Sequence, residues 1–116
     1  MEGYNVHLKM KKEDSVALIK NTCNLAHKAR QIYMSKKECK MSNAKAPMIY
    51  ASIGPYGAML HDGSEYTGSY CDTMTAEQLK QWHKIRIDAC LEANVEGLAF
   101  ETIPCLVRNH FKIFTN

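Results

Sequence analysis

The chain has 116 residues, a formal net charge of +3 and a hydrophobic content of 46%, which together suit one globular domain. It contains no apolar run near the roughly 18 residues that a membrane-spanning helix needs, and its first residues are polar and lysine-bearing. These features argue against a membrane span and a secretory signal. We therefore expect a cytoplasmic protein.

The lysine and cysteine patterns argue against two further kinds of site, a nucleic-acid-binding surface and a cysteine-based disulfide framework or zinc knuckle. The lysines alternate with Glu and Ser and have no aromatic residues among them, which indicates a solvated surface rather than a nucleic-acid site. The five cysteines are scattered, with no Cys-x-x-Cys pair, so neither a disulfide framework nor a zinc knuckle is predicted. We expect reduced thiols.

The first predicted element is an amphipathic helix over residues 14–36. Apolar residues recur there at three- and four-residue steps, which predicts a broad buried face. That face comprises Val16, Ile19, Cys23, Ala26 and Tyr33, widened by Leu18, Leu25, Ala29 and Ile32. Cys23 and His27 lie four residues apart, but two ligands do not make a zinc site, so a packed Cys23 thiol is favoured.

A strand and a long loop follow. Residues 48–53 (MIYASI) are apolar without alternation, which predicts a strand buried on both faces, as in a parallel sheet. Residues 54–74 hold four of the six glycines. Such a segment is typical of an ordered functional loop or lid.

The second helix begins at a capping box, in which Thr75 and Gln78 satisfy exposed backbone amides. It extends to about Asn94, and its predicted apolar face is Leu79, Trp82, Ile87, Cys90 and Leu91. Another unalternating strand opens at residues 98–100. Helix, strand, loop, helix and strand in this order predict a parallel α/β fold with right-handed crossovers.

Three motifs lie at the ends of these strands or in the loop: residues 52–57 (SIGPYG), 63–68 (GSEYTG) and 99–104 (AFETIP). Strand ends are where α/β proteins keep their chemistry. Together the motifs resemble the homocysteine S-methyltransferase family, zinc-dependent (β/α)8 barrels that methylate the homocysteine sulfur to give methionine. The resemblance is stronger to the branch that uses S-methylmethionine or S-adenosylmethionine than to the betaine-using branch.

The resemblance implies a fold class and a domain division. A complete barrel needs eight strands in roughly 250 residues, whereas this sequence predicts about two strands and two main helices. We therefore expect residues 1–106 to be part of a homocysteine-binding TIM barrel, as an internal fragment, and residues 107–116 to be a divergent tail.

Glu101 is the first candidate for a substrate contact. A carboxylate in a central strand needs a cation or several donors, although a strand-end glutamate can also simply reach solvent. The resemblance implies that Glu101 holds the amino group of homocysteine. It also implies that Gly54, Tyr56, Gly57 and Thr102 belong to the substrate-facing rim, whereas an isolated Gly-Pro pair would more often be a tight turn.

The loop and the second helix supply further candidates. Aromatic rings beside a carboxylate suit a sulfonium methyl donor, so Glu65, Tyr66 and Tyr70 form a hypothetical donor-side loop; the alternative is that these tyrosines pack the loop. His83 and Arg86 match the family's His-x-x-Arg pattern. Because helices form the outer ring of a barrel, a structural role in hydrogen bonding is favoured for them.

The resemblance also implies zinc, held in the family by three cysteine thiolates that activate the homocysteine sulfur. No two cysteines are adjacent here, so we predict no zinc ligand in this chain and no activity for the chain alone. The expected substrates are homocysteine and a sulfonium methyl donor. The alternative is a non-enzymatic fragment or splice product that associates with another chain through exposed strand edges; an independent α/β binding module ranks last.

Overall fold

The computed structural model describes residues 10–36 and 45–104. Its elements in chain order are α1 (Lys12–Ser35), β1 (Tyr50–Ile53), α2 (Ser64–Thr67), α3 (Ala76–Glu92) and β2 (Gly97–Phe100), with 3-10 turns at Tyr56–Met59 and Ser69–Asp72. The order of the main helices and strands agrees with the prediction. The predicted tail lies outside the described residues.

The two strands pair in parallel, with Ser52 opposite Ala99 and Ile53 opposite Phe100. Strand β1 leads through the loop and α3 into β2, which confirms the predicted parallel α/β arrangement. Helix α3 begins at the predicted capping box, since the Thr75 side chain accepts from the Gln78 amide and the Gln78 side chain accepts from the Thr75 amide.

Within the described residues, the helices cover one face of this sheet. Ile53 is buried, whereas Tyr50 and Ser52 on the opposite face are exposed. The prediction of a strand buried on both faces is therefore wrong for this part of the chain. An apolar run predicts that both faces of the strand avoid water. Within the described residues, helices pack against only one of those faces.

The core lies between α1, α3 and the sheet. Cys23, Cys90 and Ala93 are buried together, and the two cysteines are free thiols, as predicted for Cys23. Burial and the neighbouring Cys23 raise the pKa of the Cys90 thiol to about 11, so it stays protonated. Cys71 is disulfide-bonded, so the expectation of reduced thiols throughout is wrong for that residue.

A polar network joins α1 to the start of both strands. Arg30 donates from Nη1 to both carboxylate oxygens of Glu96, at 2.7 and 2.8 Å, and to the Pro47 carbonyl at 3.1 Å. Glu96 Oε2 also accepts from the Ile49 amide at 2.6 Å. The Arg30 hydrogen bond and then the Ile49 amide lower the pKa of the Glu96 carboxyl. His27 Nε2 lies 3.1 Å from the Ala93 carbonyl oxygen, so it links α1 to the end of α3.

The apolar face of α1 is narrower than predicted. Leu18, Leu25 and Ile32 are 47%, 55% and 56% exposed. At 100° per residue they lie on the side of the helix opposite Cys23, away from the core. No helix in the described segments is long and apolar enough to cross a membrane.

The loop between β1 and α3 is ordered, as predicted, but it is made of short helical segments. Tyr70 of the loop is buried together with Leu79 of α3, and Tyr56, Cys71 and Met74 pack against them. Gly57 lies so close to the next turn that a Cβ atom there would be 2.5 Å from the Glu65 amide nitrogen and the Ser64 carbonyl carbon. At Gly54, by contrast, a Cβ would meet nothing within 4 Å.

The close contact at Gly57 and the open space at Gly54 predict different effects of the same substitution, glycine to alanine. We expect Gly57→Ala to destabilise the chain by about 1 to 3 kcal/mol, because backbone atoms of the 64–65 turn must move. That loss lowers the midpoint of thermal unfolding by at least about 4 °C, measured at matched protein concentration. The control Gly54→Ala is expected to leave the midpoint within about 2 °C, and equal midpoints for both variants would contradict the close approach.

Candidate functional site

Ser52 and Glu101 lie together at the carboxyl end of the sheet. In the strand register Ser52 faces Ala99, and Glu101 follows two residues later on the same face. The Ser52 hydroxyl donates a hydrogen bond to Glu101 Oε1. The Glu101 amide donates to the Ile53 carbonyl at 3.3 Å, which continues the ladder one step past β2. The open face of the sheet thus carries a carboxylate at its edge.

Thr102 directly follows and has a left-handed backbone, with φ of 53°. A β-branched residue rarely adopts this conformation, and it costs on the order of 1 to 3 kcal/mol. The strain falls at the point where the chain leaves the strand. Thr102 is exposed, so the structure brings it to the same edge as Glu101.

Below this edge, Gly97 and Tyr50 face each other in the register. A Cβ on Gly97 would collide with carbon atoms of the Tyr50 ring. The missing side chain is therefore what lets the Tyr50 ring lie across the neighbouring strand.

Arg86 fixes the turn that follows β1. Its Nη2 group donates to the Gly54 carbonyl at 3.2 Å and to His83 Nδ1 at 2.8 Å, and its guanidinium carbon lies 3.6 Å from the centre of the Trp82 ring. These contacts agree with the predicted structural role of His83 and Arg86. The hydrogen bond from Arg86 to the Gly54 carbonyl could not be predicted from the sequence. The three-residue spacing of His83 and Arg86 predicts only that their side chains lie on one side of the helix.

The aromatic residues of the site divide into a buried and an exposed group. Tyr56 packs against Tyr70 and Trp82, with ring centres 5.5 and 5.2 Å apart. Tyr70 is only 6% exposed, whereas Tyr66 is 75% exposed. Tyr66 and Tyr70 are thus not brought to one surface. Glu65 Oε2 is buried and has no hydrogen-bond partner within the described residues.

The described parts of the chain do not fit a metal ion. Residues 10–36 and 45–104 contain no group of three His, Cys, Asp or Glu side chains that could hold one. Cys23 and Cys90 are buried between the helices and the sheet, away from the strand ends. The absence of zinc ligands from the whole chain stays a prediction.

A parallel α/β unit with polar side chains at the carboxyl ends of its strands is typical of (β/α) barrel folds. The sequence profile of the homocysteine S-methyltransferase family matches residues 3–111. The chain belongs to this family.

Individual relatives agree with this assignment. The chain is 50% identical over 107 residues to a betaine-homocysteine S-methyltransferase of Drosophila melanogaster, covering 92% of this chain and 32% of the relative. It is 45% identical over 89 residues to the homocysteine S-methyltransferase YbgG of Bacillus subtilis, covering 77% of this chain and 27% of that protein.

A solved structure confirms the fold. The homocysteine methyltransferase MmuM from Escherichia coli, in its metallated form, superposes with a TM-score of 0.82 at 33% identity. The match covers 96% of this chain and 35% of MmuM, so the chain corresponds to part of a barrel. It spans about a third of the length of the curated relatives. Their names include both homocysteine and betaine-homocysteine methyltransferases, so the methyl donor stays a prediction.

The buried position of His83 makes the stability of the fold depend on pH. It is only 5% exposed, and burial followed by the nearby Arg86 charge lowers its pKa from 6.5 to about 4. Arg86 can only donate, so His83 Nδ1 accepts and the neutral ring carries its proton on Nε2. Protonating Nδ1 would break this bond and place two cations together.

We therefore expect the stability of the chain to fall as the pH drops from 6.5 towards 4. The unfolded chain binds a proton on this histidine over that range while the folded chain does not, which costs up to about 3 kcal/mol. Urea unfolding at several pH values measures the effect. His83→Gln should flatten this part of the profile, and His61→Gln, which removes an exposed histidine, serves as the control. An unchanged profile in His83→Gln would contradict the assignment.

Proposed function

We propose that the chain supplies the amino-group side of the homocysteine site in a homocysteine S-methyltransferase, acting in the cytoplasm. Family membership gives the reaction class, and the position of Glu101 carries the assignment to this part of the barrel. A carboxylate at the mouth of the sheet, held by Ser52, suits the ammonium group of an amino-acid substrate. Gly54, Tyr56, Gly57 and Thr102 form the adjoining rim.

The reaction transfers a methyl group between two sulfur atoms. The homocysteine thiolate sulfur attacks the methyl carbon of a sulfonium donor, either S-methylmethionine or S-adenosylmethionine. A new carbon–sulfur bond forms as the old one breaks, and the donor leaves as a neutral thioether. Glu101 contributes by holding the homocysteine amino group, which orients the thiol without taking part in bond making.

Zinc would act on the homocysteine thiol in the complete barrel, as the family resemblance implies. The described residues do not provide its ligands, so we assign it to other parts of the barrel and derive no step from it here.

The donor side is proposed to lie at the loop that holds Glu65, Tyr66 and Tyr70. The carboxylate charge of Glu65 supports this, because it attracts a sulfonium cation; its Oε2 is buried in this structure and has no hydrogen-bond partner among the described residues. Tyr66 is exposed and can reach such a donor. Tyr70 is buried against Tyr56 and Leu79, so it contributes by holding the loop in place.

A second candidate function is association with another chain without catalysis. The exposed residues Leu18, Leu25 and Ile32 on the outer side of α1 and the open face of the sheet both support it. Apolar surface and unpaired strand edges of this kind favour binding to a further βα unit.

The enzymatic proposal is tested in a chimera. The aligned segment of the Drosophila relative is replaced by this chain, and methyl transfer to homocysteine is measured. We expect the chimera to be active and Glu101→Gln to lower kcat/KM at least about 10-fold, because a charge-assisted contact to the amino group is lost. The chain alone should show no turnover with S-methylmethionine, S-adenosylmethionine or betaine.

The matched control is Glu77→Gln, which removes an exposed carboxylate from the start of α3 and should leave kcat/KM unchanged. An active chimera that tolerates Glu101→Gln would remove Glu101 from the homocysteine site. Turnover by the chain alone would show that it carries metal ligands outside the described residues.

The association candidate predicts a second result. We expect the chain, expressed alone, to form oligomers in analytical ultracentrifugation, and Leu25→Lys to shift it towards monomer because a charge enters the apolar surface. Asn24→Lys adds the same charge at an exposed polar position and is the control. A soluble monomer that unfolds cooperatively would contradict this candidate.

A further inference from the structure

We propose that Ser52 is a positioning residue for Glu101. Its hydroxyl holds one carboxylate oxygen, so that the other faces the ammonium group of an amino-acid thiol. This inference rests on the proposed function of Glu101 and adds to it a second residue, on the neighbouring strand, that determines selectivity for the amino group.

The register brings the two side chains together. Ser52 lies opposite Ala99, and Glu101 extends the same face by two residues, so both side chains are on the side that the helices leave uncovered. The Ser52 hydroxyl has one hydrogen to donate, and it goes to Glu101 Oε1. Oε2 is thereby left for a ligand.

The backbone around Glu101 is already fixed from both sides. Its amide donates to the Ile53 carbonyl, and the next residue, Thr102, has the left-handed conformation. The freedom that remains belongs to the glutamate side chain, whose ordering costs conformational entropy. The Ser52 bond removes part of that cost before the ligand arrives, which is preorganisation.

A direct contact of Ser52 with the ligand would use the same hydroxyl in a different way. In that case Ser52 would contribute even when Glu101 is neutralised. A positioning role requires that the effect of Ser52 disappear once Glu101 no longer carries its charge, so a double-mutant cycle separates the two.

The test is equilibrium dialysis of the full 116-residue chain against two thiols. One is L-homocysteine, and the other is 4-mercaptobutanoate, which has the same thiol and carboxylate but no amino group. We expect Ser52→Ala to weaken homocysteine binding about 5- to 10-fold, because part of the entropic cost of ordering the Glu101 side chain then falls on ligand binding. Binding of 4-mercaptobutanoate should not change.

Two further variants complete the cycle. Ser52→Thr keeps the hydroxyl and should bind homocysteine like the unaltered chain. In the Glu101→Gln background, Ser52→Ala should have no additional effect. Ser35→Ala is the control, since the Ser35 hydroxyl bonds only to the Ile32 carbonyl of its own helix among the described residues.

The outcomes separate this inference from the proposed function. If Glu101→Gln weakens homocysteine binding and Ser52→Ala does not, the positioning role fails while the proposed function stands. A further loss from Ser52→Ala in the Glu101→Gln background would make Ser52 a direct contact. Unchanged binding in Glu101→Gln would overturn both. No homocysteine binding by the chain alone would overturn the positioning role, whereas the proposed function is decided by the chimera.

Discussion

The pairing of β1 with β2 in a single parallel register is the constraint on which the rest of the structure depends. Side chains alternate along each strand, so the register that buries Ile53 under the helices also places Ser52 and Glu101 on the opposite face. A slip of one residue would exchange these faces. The core and the candidate site are therefore fixed by the same hydrogen-bond ladder.

This ladder is secured at each end by an arginine from a helix. At the start of the strands, Arg30 binds Glu96, in an exposed network that includes backbone groups of the segment leading into β1. At the carboxyl end, Arg86 binds the Gly54 carbonyl from a half-buried position against Trp82. The first contact orients the strands on α1, and the second holds the turn at the site, which is the division of stability and function usual in barrels.

Local signals predicted much of this architecture. The helix bounds, the capping box at Thr75 and the parallel strand order follow from periodicity and short motifs. The widths of the buried helix faces could not be predicted in this way. Apolar patterning shows which residues tend to avoid water, but not which neighbouring elements are present to cover them. Leu25 is therefore exposed. The contact from Arg86 to Gly54 joins residues 32 positions apart, and no local pattern encodes such a distance. The proposed role of Glu101 rests on family resemblance rather than on spacing.

The absence of a side chain at Gly97 has a consequence for the face of the sheet that carries the candidate site. The Tyr50 ring occupies the space that a side chain there would fill, on the face of the sheet that carries Ser52 and Glu101. At about 3.3 Å per residue, Tyr50 lies roughly 6.6 Å along its strand from Ser52. A larger residue at position 97 would therefore displace the ring from the face that carries the candidate site. The shape of this face of the sheet thus depends on the absence of a side chain at Gly97.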